Sequence, residues 1–126
     1  MLYWGKHLIL DIAKCRPSTI RSASHITMFS KKLVKEIDMI PYGEPQVVHF
    51  GEGNKAGYTL TQLITTSNIT AHFVEEDNSI FLDVFSCKEF DKEVVKKVVN
   101  EFFEPIDMKE LLIERKAPII HKPDLP

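Results

Sequence analysis

The stretch Gly57–Cys87, GYTLTQLITTSNITAHFVEEDNSIFLDVFSC, decides the fold that the sequence predicts. Apolar and polar residues alternate along most of it, which is typical of half-buried β-strands. Two short polar runs, at residues 65–68 and 75–79, break the alternation and favour turns, because such side chains hydrogen-bond their own backbone. The stretch therefore predicts three strands, over residues 58–65, 68–74 and 80–86.

Outside this stretch, two segments carry apolar residues at steps of three and four, which indicates amphipathic helices. The remaining predicted elements are a strand over residues 3–12, a helix over 24–38 with Ser24 as N-cap, a short strand over 46–50, a helix over 91–103 and an edge strand over 108–115. Strands joined by short turns pair antiparallel, and two helices with one apolar stripe each cover one sheet face. We therefore predict an α+β fold, a two-layer sandwich of an antiparallel sheet with two helices on one face.

The composition bounds the class of protein. With 126 residues, 44% hydrophobic and 27% charged, the chain fits a single domain over residues 1–126. No window approaches the roughly 18 consecutive apolar residues of a membrane span. The first residues lack the features of a secretory signal, so we expect a cytoplasmic protein with no membrane partner.

The net charge and the polarity pattern of the predicted sheet also limit the kinds of partner that the protein can bind. A net charge of −2 provides no basic surface for nucleic acid. The predicted sheet has a second face of mixed polarity that no helix covers, and a partly apolar uncovered face is typical of a subunit interface. We therefore expect a homodimer that binds no nucleic acid.

Cysteine and histidine spacing predicts no metal site. The two cysteines are too few for a disulfide framework, and Cys87 is expected to be a free thiol. His7, His25, His49 and His121 have no metal-ligand spacing with one another or with a cysteine. We interpret these four histidines as structural or surface residues.

Ser67, His72 and Cys87 are the residues of the central stretch that could carry chemistry. Side chains alternate along a strand, so Ser67 and His72, five positions apart, share a site only if the chain bends between them. Ser67 also lies in the predicted turn at residues 65–68. Local strain collects at functional sites, and a peptide bond in a strained turn is open to attack by its own side chain.

These residues resemble a known family. Gly57-Tyr58-Thr59, Ser67, His72 and Asp83-Val84-Phe85-Ser86-Cys87 look like the short bacterial and archaeal class of S-adenosylmethionine decarboxylase, a pyruvoyl-dependent enzyme of polyamine synthesis. The segment at residues 5–11, GKHLILD, is similar to that family's first strand. The resemblance covers residues 4–103 and follows the family's order of elements.

The resemblance implies a role for each residue of the motif. Ser67 would attack the carbonyl of Thr66, cut the chain between residues 66 and 67, and become the pyruvoyl group that serves as cofactor. His72 would remove the α-proton of Ser67 during this processing, and Thr59 stands where the family usually has an assisting serine. Cys87 would return a proton to the substrate after carbon dioxide leaves.

The resemblance also suggests substrate contacts, although the local sequence departs from the family. Phe50, Tyr58 or Phe73 could stack on adenine or face the sulfonium charge, and Glu76 could contact substrate hydroxyls or the amine. The family usually has glutamate and histidine around the processing serine, where this chain has Thr66 and Asn68. The segment that usually reads threonine-tryptophan-proline-glutamate is FVEE at residues 73–76.

The chemistry explains why a pyruvoyl group is needed. Decarboxylation of an amino acid leaves a carbanion, and a carbonyl that forms a Schiff base with the amine is the electron sink. No ordinary side chain is such a carbonyl. The implied reaction removes carbon dioxide from S-adenosylmethionine and supplies the aminopropyl donor for spermidine synthesis.

Two alternatives remain open at this point. The pyruvoyl enzyme could instead act on a small basic amino acid such as ornithine or arginine, because the tryptophan is lost and Glu75 and Asp77 add acidic groups. Alternatively, the altered flanks of Ser67 could leave the chain uncut, as a regulatory homologue without catalytic activity. An intact-mass measurement separates this last alternative from the other two.

Overall fold

A computed structural model of the chain describes residues 2–120 and 123. It consists of six β-strands and three α-helices in these residues. The elements are β1 (Gly5–Ala13), α1 (Pro17–Ile20), α2 (Ala23–Glu36), β2 (Pro41–Phe50), β3 (Gly57–Ile64), β4 (Ser67–Val74), β5 (Ser79–Ser86), α3 (Lys92–Phe103) and β6 (Asp107–Arg115), with a 3-10 turn at Gly53–Lys55. The described part of the chain contains no helix that is both long and apolar enough to cross a membrane.

All six strands form one antiparallel sheet in the order β2-β3-β4-β5-β1-β6. The central stretch of the sequence thus forms three neighbouring strands, β3 to β5. The connection between β5 and β6 carries α3, and β1 lies between these two strands. This order confirms the predicted antiparallel sheet and the edge position of β6.

The core lies between one face of this sheet and the two long helices. Alternate residues of β1 that face the helices, such as Leu8 and Leu10, are fully buried. Phe29 of α2 and Phe103 of α3 meet edge to face, with ring centroids 4.7 Å apart. The predicted two-layer sandwich is therefore confirmed, with the helices on one face and the opposite face, called here the outer face, uncovered by any described element.

Three local features differ from the prediction. The connection predicted to be irregular contains the single-turn helix α1, with Pro17 at its first position. The N-cap of α2 is Ser22 rather than Ser24, because the Ser22 hydroxyl accepts a hydrogen bond from the His25 amide. Strand β2 is five residues longer at its start than predicted and contains a register shift between Tyr42 and Gln46.

The predicted irregular tail begins at Pro118, and residues 118–120 carry no regular structure. His121 lies outside the described residues, so its predicted surface or structural role stays a prediction. Among residues 2–120 and 123, no three His, Cys, Asp or Glu side chains are grouped as a metal site would require.

Candidate active site

The structure divides the predicted catalytic residues into two groups at opposite ends of β4. Thr66, Ser67 and Cys87 lie together with Ser86 where the β3–β4 turn meets the end of β5, and we call these four residues the processing corner. Thr59 and His72 face each other across β3 and β4 and form the histidine pair.

The processing corner begins with a tight turn. Ile64 pairs with Ser67, so Thr65 and Thr66 alone connect the two strands, as the short polar run predicted. Ser67 has a φ of +153°, which the Cβ of an L-residue disfavours and which glycine adopts readily. The strain expected at this turn is therefore present at the serine itself.

The carbonyl that Ser67 would attack is already hydrogen-bonded. The backbone amide of Cys87 donates to the Thr66 carbonyl oxygen at 3.0 Å. On the other side of the turn, the Thr65 amide donates to the carbonyl of Ile40 at 2.9 Å. An amide that points at a carbonyl oxygen polarises the carbonyl and stabilises negative charge that develops on the oxygen during nucleophilic attack.

A line of hydroxyl contacts fixes the Thr66 side chain. The Lys88 amide donates to the Ser86 hydroxyl at 3.0 Å, and the Ser86 hydroxyl donates to Thr66 Oγ1 at 2.8 Å. The Thr66 hydroxyl in turn donates to Met39 Sδ at 3.3 Å. Ser86 and Met39 are both buried, so these contacts are shielded from water.

The histidine pair has a different environment. Thr59 Oγ1 lies 3.2 Å from His72 Nδ1, and both residues belong to the outer face, where His72 is exposed. Ser67 instead aligns with Ile64 and Ser86, both buried on the helix-covered face. The bend that Ser67 and His72 would need in order to share a site is absent, because β4 runs unbroken between them.

One copy of the chain therefore does not bring Ser67 and His72 together. Five residues of extended strand separate them, which corresponds to about 16 Å at about 3.3 Å per residue. Cys87, in contrast, lies beside the Thr66–Ser67 peptide, because its own amide contacts that peptide's carbonyl.

Phe73, one of the predicted substrate contacts, is buried in the core and cannot contact a substrate. Its side chain is only 1% exposed and packs against Phe103 in the core, with ring centroids 5.5 Å apart. The residue belongs to the helix-covered face of β4, where a ligand could not reach it without unfolding the core. The expectation that Phe73 stacks on a substrate is wrong for this reason.

The other predicted contacts lie at the histidine end of β4. Tyr58 packs edge to face on His49, with ring centroids 4.9 Å apart. Phe50 ends β2 and is 56% exposed, and Glu76 lies in the turn that follows β4. Phe50 and Glu76 thus lie at the end of β4 away from Ser67. Tyr58 shares the helix-covered face of β3 with Leu60 and packs against the core, so its ring lies on the sheet face opposite His72.

An aromatic cleft near the processing corner was missed at the sequence level. Phe85 lies directly opposite Asn68, the neighbour of Ser67, and Trp4 packs on it at 5.6 Å between ring centroids. The guanidinium of Arg115 lies over the same ring at 5.0 Å, and the cleft that these side chains line has a volume of about 720 Å³. Two features of the sequence could have indicated this cleft: Trp4 lies just before a strand, and Phe85 lies two residues before Cys87.

The two cysteines differ in environment. Cys15 is buried, and burial raises the pKa of its thiol to about 12. Cys87 is partly exposed, at the corner where chemistry is expected. Both thiols are free, as predicted for Cys87.

Comparison with known proteins decides the family. The family model described as S-adenosylmethionine decarboxylase matches residues 6–116 of this chain, which is most of its length. The chain belongs to the S-adenosylmethionine decarboxylase family. The match spans both the processing corner and the histidine pair, and it confirms the family that the sequence motifs suggested.

Individual members of the family are similar along nearly their whole length. The S-adenosylmethionine decarboxylase proenzyme of Clostridium botulinum strain Langeland is 28% identical over 115 residues, which cover 89% of this chain and 96% of the relative. The proenzyme of strain Loch Maree is 27% identical with the same coverage. The crystal structure of the adenosylmethionine decarboxylase from Aquifex aeolicus VF5 superposes with a TM-score of 0.78, at 19% identity and 95% coverage of both chains, which shows a shared fold.

Proposed function

We propose that this protein cuts itself between Thr66 and Ser67 and then decarboxylates S-adenosylmethionine. The family, and relatives whose names call them proenzymes of that activity, support the proposal. The observation that carries it is the state of the Thr66–Ser67 peptide, which combines a disfavoured φ at the serine with a carbonyl held by the Cys87 amide.

Self-cleavage uses groups that are already in place at the corner. The Ser67 hydroxyl adds to the Thr66 carbonyl carbon, and the oxygen that becomes negative is the one that accepts from the Cys87 amide. Breakage of the Thr66–Ser67 C–N bond then leaves an ester between the Thr66 acyl group and the Ser67 oxygen. The strained φ of Ser67 favours this step, because the cut removes the peptide that enforces it.

The second stage removes the ester. A base takes the α-proton of Ser67, the Thr66 carboxylate leaves, and the dehydroalanine that results rearranges to an imine. One water then hydrolyses the imine, releases one ammonia and leaves a pyruvoyl group at residue 67. His72 is the base we assign, because a neutral imidazole accepts protons near neutral pH.

His72 can reach Ser67 only if it comes from a second copy. The outer face that holds the histidine pair is rich in exposed apolar side chains: Leu63 is 49% exposed, Phe81 43% and Leu111 54%. Two such faces related by a twofold axis would bury this surface and place each histidine end against the other copy's processing corner. The proposed enzyme is therefore a homodimer with two composite sites.

The corner also fits the needs of the decarboxylation. A pyruvoyl group at residue 67 supplies the carbonyl that draws electrons from the substrate as carbon dioxide leaves. We assign the return of a proton to the substrate carbon to the Cys87 thiol, because Cys87 is partly exposed and its backbone amide contacts the Thr66 carbonyl. We expect this chemistry to take place in the cytosol.

The proposed substrate contacts are likewise divided between the two ends of β4. Trp4 and Phe85 offer aromatic surface for an adenine ring on the outer face, at the end of β4 where Ser67 lies, and this cleft is our addition to the predicted contacts. Phe50 and Glu76 would approach the substrate from the second copy, together with its histidine pair, whereas Tyr58 packs on the helix-covered face and is left out of this contact. In this arrangement an aromatic ring and a carboxylate meet the sulfonium and amine charges.

Release of labelled carbon dioxide tests the proposal. Purified protein is incubated with carboxyl-labelled S-adenosylmethionine, ornithine or arginine, and the Ser67→Ala variant serves as the control. We expect release from S-adenosylmethionine alone, and none from the variant. Release from ornithine or arginine alone would contradict the proposed substrate, and an uncut, inactive wild-type protein would contradict the enzyme itself.

A further inference from the structure

The Thr66 side chain is held as firmly as its carbonyl. Three hydrogen bonds in sequence run from the Lys88 amide to the Ser86 hydroxyl, on to Thr66 Oγ1 and finally to Met39 Sδ, at 3.0, 2.8 and 3.3 Å. The donors agree in direction along the whole line, because the Ser86 proton points to Thr66 and the Thr66 proton to Met39. Ser86 is 1% exposed, and its hydroxyl also lies 3.8 Å from Met39 Sδ, a longer contact than the 2.8 Å hydrogen bond that it donates to Thr66 Oγ1.

Ser86 is also the cross-strand neighbour of the serine that reacts. In the β4–β5 register it lies directly opposite Ser67, and the next residue, Cys87, supplies the amide on the Thr66 carbonyl. Ser86, the last residue of β5, and Cys87, which follows it, therefore hold Thr66 by its side chain and by its backbone. A two-residue turn next to a disfavoured φ keeps its conformation only if its surroundings fix it in this way.

We propose that Ser86 is a positioning residue for self-cleavage, which acts through Thr66 to keep the scissile carbonyl on the Cys87 amide. The inference rests on the proposed function and assigns a role to Ser86, a motif residue to which the resemblance gave none. Among the described residues, the Ser86 hydroxyl forms its hydrogen bonds with the Thr66 hydroxyl, the Lys88 amide and Met39 Sδ, none of which contains a reacting atom. Its effect should appear in the first step, attack by Ser67, which needs the carbonyl both oriented and polarised.

A second contact braces the same corner from the helix layer. The Lys88 ammonium group lies 3.2 Å from the Asp38 carboxylate, and Met39 follows Asp38 in the connection between α2 and β2. The line of hydroxyl contacts thus ends at the Lys88 amide on one side and at Met39, in the connection before β2, on the other. Loss of the Ser86 hydroxyl would release Thr66 from β5 while the Cys87 amide remained as its only link to that strand.

Cleavage kinetics of matched variants test the role. Protein made by cell-free synthesis is sampled over time, and intact mass gives the cut fraction. We expect Ser86→Ala to slow cutting about five- to tenfold, the equivalent of one hydrogen bond, and Ser86→Thr to restore most of the rate. Ser30→Ala is the control, because Ser30 is an equally buried serine that hydrogen-bonds Gln62 and no residue of the corner, so this variant should cut at the wild-type rate.

Two further readouts separate positioning from a general loss of structure. Thr66→Val removes the same contact from the other side, so the double variant Ser86→Ala/Thr66→Val should cut no more slowly than the slower single variant. Hydroxylamine, which cleaves esters, should trap a smaller amount per unit time from Ser86→Ala if attack is the slowed step. Should Ser86→Ala fail to fold, as judged by thermal unfolding, Thr66→Val and Ser86→Thr still carry the test.

The outcomes that overturn the inference differ from those that overturn the function. Cutting of Ser86→Ala at the wild-type rate, additive losses in the double variant, or accumulation of hydroxylamine-sensitive ester would each remove the positioning role while leaving the self-cleaving enzyme intact. A wild-type chain that stays uncut would instead contradict the proposed function.

Discussion

The two ends of β4 are built for different tasks. At the processing corner, the turn is tight, the φ of Ser67 is disfavoured, and buried hydrogen bonds fix Thr66 from two sides. At the histidine end, His72 is exposed and has one described side-chain partner, Thr59. One copy supplies all the described contacts that hold the Thr66–Ser67 peptide. The histidine pair, in contrast, lies on the outer face, which no described element covers.

This difference shows which part of the chemistry one subunit can organise alone. Attack of Ser67 on Thr66 needs a strained peptide and an amide at the carbonyl, and both come from neighbouring strands of one sheet. Removal of the Ser67 α-proton needs a base that this sheet keeps about 16 Å away. In the proposed homodimer a second copy would supply this base, and the following predictions test the division from the largest expected effect to the smallest.

Ser67→Ala should abolish both cutting and decarboxylation, because no other group can attack Thr66 or form the pyruvoyl group. Intact mass should show one chain of 14.5 kDa, less one oxygen. Asn68→Ala is a neighbouring control, since its side chain lies on the other face and should permit cutting. Two fragments from Ser67→Ala would place the cut elsewhere and disprove the assignment of the corner.

His72→Ala should slow maturation by about 100-fold or more, the usual contribution of a general base. Co-expression with Ser67→Ala should rescue the cutting of His72→Ala chains, since each mixed dimer pairs one intact serine with one intact histidine. Differently tagged chains and mass spectrometry identify which copy is cut.

The rescue has a built-in control. A Ser67→Ala/His72→Ala double variant, co-expressed with His72→Ala, provides the same surface but no histidine. Equal cutting with either helper, or no rescue by Ser67→Ala in dimers shown to be mixed, would mean that His72 does not act across the interface.

Cys87→Ala should still be cut, because the amide that holds Thr66 belongs to the backbone, yet its turnover should fall by about 100-fold through loss of the proton donor. The matched variant is Cys15→Ala, which removes a buried thiol remote from the corner and should keep its turnover. Measurement of carbon dioxide release after complete cutting separates the two steps. Full turnover by Cys87→Ala would show that another group donates the proton.

Phe73→Ala and Phe50→Ala compare the core and the surface at the histidine end. Truncation of the buried Phe73 ring should lower the free energy of unfolding by about 3–5 kcal/mol. Phe50, which is 56% exposed, should alter stability by no more than about 0.5 kcal/mol and raise KM instead. Urea unfolding and steady-state kinetics measure both, and equal stability losses would contradict the positions described for the two rings.

The smallest effect concerns Cys15. An unfolded thiol ionises near its ordinary pKa of 9.0, whereas burial raises the pKa of Cys15 to about 12 in the folded chain. The unfolded state therefore loses this proton first, so stability due to Cys15 should be constant below pH 9 and fall between pH 9 and 12. Cys15→Ala should show a shallower fall in urea midpoint over this interval, and an identical slope would show that the thiol is not shielded.

Most of the fold could be predicted because its signals are local. Alternation in β3 to β5, the polar run before Ser67 and the apolar stripes of α2 and α3 each depend on neighbouring residues. The start of β2 differs from the prediction, because Pro41 and Gly43 indicate only the end of the preceding helix, whereas the strand begins at Pro41 and continues through a register shift. Helix α1 is a single turn, too short to leave a periodic pattern.

The sequence identifies the candidate residues of the site, but it does not predict how the fold arranges them. Ser67, His72 and Cys87 stand out through their spacing, yet spacing along a chain does not reveal that an unbroken β4 separates the first two. The burial of Phe73 follows from strand register, which a one-residue shift would reverse. The line through Ser86 and Met39 joins residues 47 positions apart, and no sequence pattern marks such a contact.

The central claim is that the Thr66–Ser67 peptide is cut by its own serine, and intact mass of purified protein tests it most directly. The account predicts two fragments that meet at residues 66 and 67, the second beginning with a pyruvoyl group that reacts with a carbonyl reagent such as phenylhydrazine. A single uncut chain of 14.5 kDa in folded, aged protein would contradict it.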